Sequence, residues 1–396
     1  MRGMARLAAS VILVLAVAWG GLWWYAEGRL HDMLAAYAAR LTTADGTSTL
    51  NYDNISVGMS PLTASATLNN VRWNLQPAGT NAQSVITLAH VSAWIDAFDP
   101  LVMHIGLPDR IDISTSRGAA SVTFGATAIS YRLEPATLFN RNIYPVTSGT
   151  LMFHDIDVLA GGGAMQFLHI DDITVQSSLN AGAGPNQTAM EVTESIDGMA
   201  LPGWVAAMGR VPFNGRVAHF GLNFALSGPA YWTGGLMQNL NAPQTNLHAR
   251  TKLLIEALQG WAAQGGSGKA SLTLTVGPST LNAGGTASFD ANAQPSGTAD
   301  MTADHLDDFA TALTNAYPQL QQGIANIETQ LSPYLTTTDA GGQVLTVHVD
   351  YGKSGVLVNG TRKADMPPID WATLENPPAP PPQAPGDGSG AASPGP

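Results

Sequence analysis

The chain has no cysteine, which removes disulfides, thiolate metal sites, cysteine nucleophiles and a lipid-modified cysteine anchor together. The redox compartment stays open, because exported and cytosolic chains alike can lack the residue. Charge is also scarce, at 12% of 396 residues, with four lysines against thirteen arginines. Surface polarity therefore falls to Ser, Thr, Asn and Gln, a composition suited to exposed strand faces. The first 41 residues hold four basic and two acidic side chains, leaving 13 basic and 27 acidic for the rest. Such a body lacks the clustered Lys and Arg that a phosphate backbone demands, so no nucleic-acid partner is expected. Catalytic signatures are missing too: there is no GxSxG elbow, no GxGxxG fingerprint and no HExxH. The expectation is a non-enzyme without a cofactor, with a hydrolase built from scattered Ser, His and Asp as the rival.

What is present begins with 45% hydrophobic residues, 42 glycines and 25 prolines, the make-up of a folded, turn-rich protein. Residues 1–6 carry Arg2 and Arg6, and the 19 residues from Leu7 to Tyr25 contain no charge. At about 1.5 Å per residue that run reaches roughly 28 Å, enough for a hydrocarbon core of about 30 Å. The arginines favour a cytoplasmic amino end, and Trp19, Trp23, Trp24 and Tyr25 fit the far interface. Residues 7–25 are thus expected to be a signal-anchor. Cleavage after Ala18, at the small-x-small sequence Ala16-Val17-Ala18, is the alternative, and either way the body is exported. In residues 26–41, Leu30, Met33, Leu34, Tyr37 and Leu41 recur at helical spacing, predicting an amphipathic helix.

From about residue 51 the pattern turns to period two. Leu62, Ala64, Ala66 and Leu68 share one parity, as do Val71, Trp73 and Leu75, with Asn69-Asn70 read as a hairpin turn between them. Similar segments continue to residue 360, predicting a large, mostly antiparallel, curved sheet over residues 42–376. Helical spacing interrupts it at 201–209, around Leu247, Leu254, Ile255, Leu258 and Trp261, and over 302–335 with a kink at Pro318. The fold class is therefore α+β. Residues 377–396 are rich in Pro and Gly without apolar periodicity, so a disordered tail is expected.

Two stretches tempt a chemical reading. Gly265–Ala270 resembles a phosphate loop, but the first glycine is displaced and Lys269 precedes Ala270 instead of a hydroxyl, so it reads as a helix stop. Within Leu272–Asp290, two strands flank Gly277-Pro278, and Gly284-Gly285 reads as a bulge. The other stretch pair, FHDIDV and FLHIDDITV, places His154, Asp155, Asp157, His169, Asp171 and Asp172 on neighbouring strands. A divalent metal would accept such donors, although a solvated hairpin face accounts for them equally well.

The segment from Trp261 to Met301, with its paired glycines, its Gly-Pro turn, Asp290, Gln294-Pro295 and Gly297, resembles the proteobacterial domain-of-unknown-function family 2125. YDNISVGMSPLTASATLNNVRW and SIDGMALPGW extend the resemblance over most of residues 5–370. The resemblance implies a distant likeness to AsmA-like envelope proteins, anchored in the bacterial inner membrane by one span with the bulk of the chain in the periplasm. It carries no catalytic residues. The expected role is envelope biogenesis or maintenance, by binding lipid or another envelope component on an apolar sheet face. A scaffold for envelope proteins is the alternative.

Overall fold

The computed structural model describes residues 2–43, 46–60, 62–76, 83–116, 118–135, 146–180, 182–229, 247–337 and 343–375; the side chains of 2–18, 22, 247, 248 and 375 are not described. Helix α1 runs unbroken over Arg2–Arg40. The run expected as a signal-anchor and the segment expected as an amphipathic helix are thus consecutive parts of one rod about 58 Å long. Among the described residues no helix is long and apolar enough to cross a membrane. Most of the apolar run from Leu7 onward lies outside the described side chains, as does the tail expected over 377–396.

Among the described residues all nineteen strands belong to one antiparallel sheet. β1 (Ser48–Asn51) and β2 (Asn54–Val57) together line one side of β3 (Thr63–Leu75), which pairs along its length with β4 (Ser84–Asp96). The chain returns along β4 as β5 (Asp99–Gly106) and β6 (Arg110–Thr115), then doubles back as β7 (Gly118–Thr123) and β8 (Ala126–Leu133). β9 (Val146–Ala160) pairs with both of these. From there neighbours in sequence are neighbours in the sheet: β10 (Met165–Leu179), β11 (Thr188–Ala200), β12 (Arg216–Ser227), β13 (Ser267–Val276), β14 (Ser279–Phe289) and β15 (Pro295–Asp304). β17 (Gln343–Gly352) follows β15, with β16 (Leu335–Thr337) and β18 (Gly355–Val358) on its far side and β19 (Thr361–Ala364) last. Contacts between strands close in sequence dominate, and from β9 to β15 each strand lies beside its predecessor, which is why local alternation predicted so much of the sheet.

Packing on this sheet is concentrated at its margins. Leu30, Leu34 and Ala38 of α1 are buried, and the first two join Ala64, Ala66, Leu68, Val71, Ala93 and Met103 in one cluster. Met33 and Tyr37, expected on the same stripe, are exposed at 38% and 60%. The seam follows steps of four from Leu30, so it includes Ala38 and excludes Tyr37. A second cluster joins Trp261 and Ala262 of helix α3 (Leu247–Ala263; α2 is Gly203–Gly209) to Leu226, Ala293 and Trp371 at one end of β12–β14. At the opposite strand ends lies helix α4 (Leu306–Ala316), whose Phe309 stacks on Phe213.

Three local expectations change. Asn69-Asn70 is no turn: β3 is continuous, and Asn70 adopts φ 53° while its amide donates to Asp53 at 2.7 Å. This left-handed residue shifts the alternation by one while β3 and β4 keep a single register across it, so Leu68 and Val71 are both buried. Gly284-Gly285 is no bulge, since β13 and β14 stay in register through it. The expected 302–335 helix begins only at Leu306, because Thr302–Asp304 completes β15, and a turn at Pro318–Leu320 separates α4 from helix α5 (Gln321–Leu331; α6 is Trp371–Glu375).

Candidate functional site

Directly opposed residues of antiparallel strands share a face, so the pairing registers sort every side chain to one of two surfaces. One in-register row runs Val57, Ala66, Ala93, Ile105, Ile129, Leu151, Val175, Glu194, Leu222, Leu272, Ala283, Met301, Val347 across thirteen strands. Twelve steps of about 4.8 Å make this a band about 58 Å long. Beside it runs Ile95, Met103, Tyr131, Gly149, Ser177, Val192, Phe224, Ala270, Gly285, Ala299, Val349. On its other side lie Phe153, Ile173, Ile196, Phe220, Leu274, Leu281, Ala303 and Leu345.

Where α1 covers the band, Ala66 and Ala93 are wholly buried. From Leu151 to Val347 its residues are only half-buried. Small side chains, Ala270, Gly285, Ala299 and Ala283, floor the part spanned by β13–β15. The Leu272–Asp290 stretch therefore lines an apolar surface as two regular strands.

The opposite face is polar and holds the sequence-predicted cluster. His154 of β9 bonds Asp172 of β10, directly opposite. His169 donates from Nδ1 to Asp157 at 2.7 Å and from Nε2 to Asp171 at 3.0 Å. The Asp157 carboxylate raises His169 above the ordinary imidazole range; partial burial opposes it and Asp171 adds to it. Asp155 does not join: its backbone is left-handed, φ 49°, at the irregularity between His154 and Ile156. The predicted members therefore form one pair, His154–Asp172, and one bridge, His169 between Asp157 and Asp171, and among the described residues no group is placed to hold a metal.

Two participants lay outside that prediction. Asp172 stands opposite Asp197, and Asp197 stands opposite His219, whose Nδ1 is 2.6 Å from the Asp197 carboxylate. The row His154, Asp172, Asp197, His219 thus crosses β9–β12. Far along the sheet, His348 repeats the His169 arrangement with Asp300 at 2.6 Å and Asp350 at 3.2 Å. Asp300, followed by burial in the opposite sense and then Asp350, raises His348 as well. The shared His-x-Asp spacing, His169-Ile170-Asp171 and His348-Val349-Asp350, is the signal in the sequence.

At the amino end, Trp23 packs against the sheet cluster and donates its indole N–H to Ser60 at 2.7 Å. Trp19 stacks on Trp23 at 5.6 Å between centroids, while Trp24 and Tyr25 are 79% and 47% exposed.

A family model described as an uncharacterized protein conserved in bacteria (DUF2125) matches residues 23–354. The chain belongs to this family. No curated protein and no solved structure matches it, so the comparisons add no support to the AsmA-like resemblance. The segment that carried the family resemblance is architectural. Asp290 accepts the backbone N–H groups of Asn292 and Gln294 and pairs with Lys353, which together hold its carboxyl below the usual range, Lys353 foremost. Gln294 then clasps Ile369 through both of its amide atoms, and Trp371 donates to Ala293.

Proposed function

We propose that this family member is a single-pass protein of the bacterial inner membrane whose periplasmic body binds lipid acyl chains along the apolar face of its sheet. The carrying observation is the thirteen-strand row, apolar at every position except Glu194. Strand twist accumulates across so many strands, and large antiparallel sheets curl. A face that is half-buried between its covered margins fits the concave side of such a curl, because its own side chains then shield one another. Acyl chains match a long apolar trough, since burying each CH₂ is worth about 0.8 kcal/mol. The uncharged run of α1 supports the membrane address, and the docking of Leu30, Leu34 and Ala38 supports a body held close to it.

The alternatives draw less support. A scaffold joining partners through sheet edges would need an open edge, whereas β19 is four residues long, fully exposed and carries Arg362 and Lys363. Such an edge discourages strand addition. For a hydrolase, the described hydrogen bonds of His154, His169, His219 and His348 rings go to carboxylates, with no hydroxyl nucleophile among them.

A photoreactive amino acid placed at Leu272 of the full-length chain in living cells tests the reading, with Thr273 on the polar face as control. Lipid adducts at Leu272 and not at Thr273 are expected. Their absence from Leu272 refutes lipid binding on this face.

A further inference from the structure

Glu194 is at odds with its surroundings. It sits at the centre of β11, six residues from either end, which places it about 20 Å from each strand terminus. Val175 and Leu222 oppose it directly; Ile173, Ser177, Phe220 and Phe224 are the diagonal neighbours. These offer one hydroxyl and no cation. Glu194 is half-buried, and among the described residues it makes no ion pair or hydrogen bond. Glu191, three residues earlier, faces the other way and reaches Asn223 at 3.3 Å, so the polar surface already has its own glutamate on this strand.

Resting on the lipid-binding reading, we infer that Glu194 makes the trough selective for phospholipids bearing a primary amine, whose ammonium group is the counter-charge to this carboxylate. An acyl chain laid over an ionised carboxylate removes its water and returns no hydrogen bond, an outcome strongly opposed by solvation. An anionic headgroup adds repulsion to that loss. An ammonium group donates up to three hydrogen bonds and neutralises the charge. In low-dielectric surroundings such a pair is far stronger than at an open surface. The body's excess of acidic residues, 27 against 13 basic, works in the same direction at longer range. Glu194 is also the one departure from the Met190, Val192, Ile196 parity of its strand, which locates the selective contact at a single residue.

The test places a photoreactive amino acid at Leu222, directly opposite Glu194, in the full-length chain within its native membrane. The ratio of phosphatidylethanolamine to phosphatidylglycerol adducts is then compared with their ratio in the bulk membrane. In the otherwise unaltered chain that ratio should exceed the bulk value several-fold. Glu194→Gln, which keeps the shape, should return it to the bulk value, and Glu194→Lys should invert it. Adducts that match the bulk ratio, or an enrichment that survives Glu194→Gln, overturn the inference and leave the trough standing. No lipid adduct at Leu222 or Leu272 in any variant overturns the trough and the inference together.

Discussion

Replacing Trp261 with Ala should loosen the contact of α3 with the sheet, and the structure sets both the cost and a partner mutation that checks it. The indole is 2% exposed, meets Phe289 edge-on at 5.4 Å between centroids, and donates its N–H to Ser227 at 3.0 Å. Trp-to-Ala changes in cores cost about 3 to 5 kcal/mol, and the unpaired Ser227 carbonyl adds about 1 kcal/mol, so a loss of about 4 to 6 kcal/mol is expected. Gly266 lies flat against the same ring. A Cβ there would stand 2.4 Å from Cδ2 and Cε2 of Trp261, a clash that a ring packed on Phe289 resolves only by shifting. Gly266→Ala should therefore cost about 1 to 3 kcal/mol in the native background. With Trp261 already Ala, the clashing atoms are gone and the same change should cost under about 0.5 kcal/mol, giving a coupling energy of about 0.5 to 3 kcal/mol. Urea unfolding of the full chain in mild detergent, followed by circular dichroism, measures all four corners of the cycle. Additive costs would show that Gly266 serves its turn and not the ring, and the packing argument would fail.

Three further outcomes are expected. His169 and His348 have raised folded-state pKa values, so the stability they supply is full below the unfolded value of about 6.5 and is lost as pH rises through the folded values. The urea midpoint should fall between about pH 6 and pH 8, and the His169→Gln, His348→Gln double variant should flatten that slope. Gly285→Ala should destabilise by about 1 to 3 kcal/mol while Gly284→Ala is near neutral, since an added Cβ meets Thr298 O at 2.8 Å at the former and nothing nearer than 3.5 Å at the latter. A periplasm-specific reporter fused after Pro396 should be active and remain membrane-bound through an alkaline wash; release of a soluble chain lacking residues 1–18 would show cleavage instead of anchoring.

Much of the sheet was legible because a meander keeps its pairing local. Leu272, Leu274 and Val276 alternate with Thr273 and Thr275, and hairpin partners alternate likewise, so sequence parity and sheet face coincide. Parity failed where a residue within a strand turns left-handed. Asn70 looked like a turn since its left-handed backbone suits one; only the pairing of β3 with β4 on both sides shows the strand to be continuous. The His and Asp cluster was half legible for a related reason. His154 and His169 sit in one hairpin, but Asp197 and His219 enter through two later strands, and no local pattern states that their registers meet Asp172. Glu194 drew no reading from the sequence, because its meaning depends on which face remains uncovered.

On the proposed reading the two faces divide stability from binding. Cross-strand pairs on the polar side join β9 to β10, β11 to β12 and β15 to β17 through His154–Asp172, Asp157–His169, Asp197–His219 and Asp300–His348. The apolar rows contain almost no polar bonds to break. If the trough fills and empties with lipid, it does so without disturbing these pairs, because alternate residues of a strand point to opposite sides. Asp157→Asn should therefore lower the urea midpoint with little change in lipid adducts at Leu222. Leu272→Ser should remove most adducts at Leu222 for a smaller loss of stability than its burial in a packed core would bring, since its site is only half-buried. The comparison to make is adduct yield against unfolding free energy for several substitutions on each face. Two separate trends are expected, steep for the apolar row and flat for the polar pairs. A single common trend would mean that lipid yield merely follows foldedness, and that the apolar face has no binding role of its own.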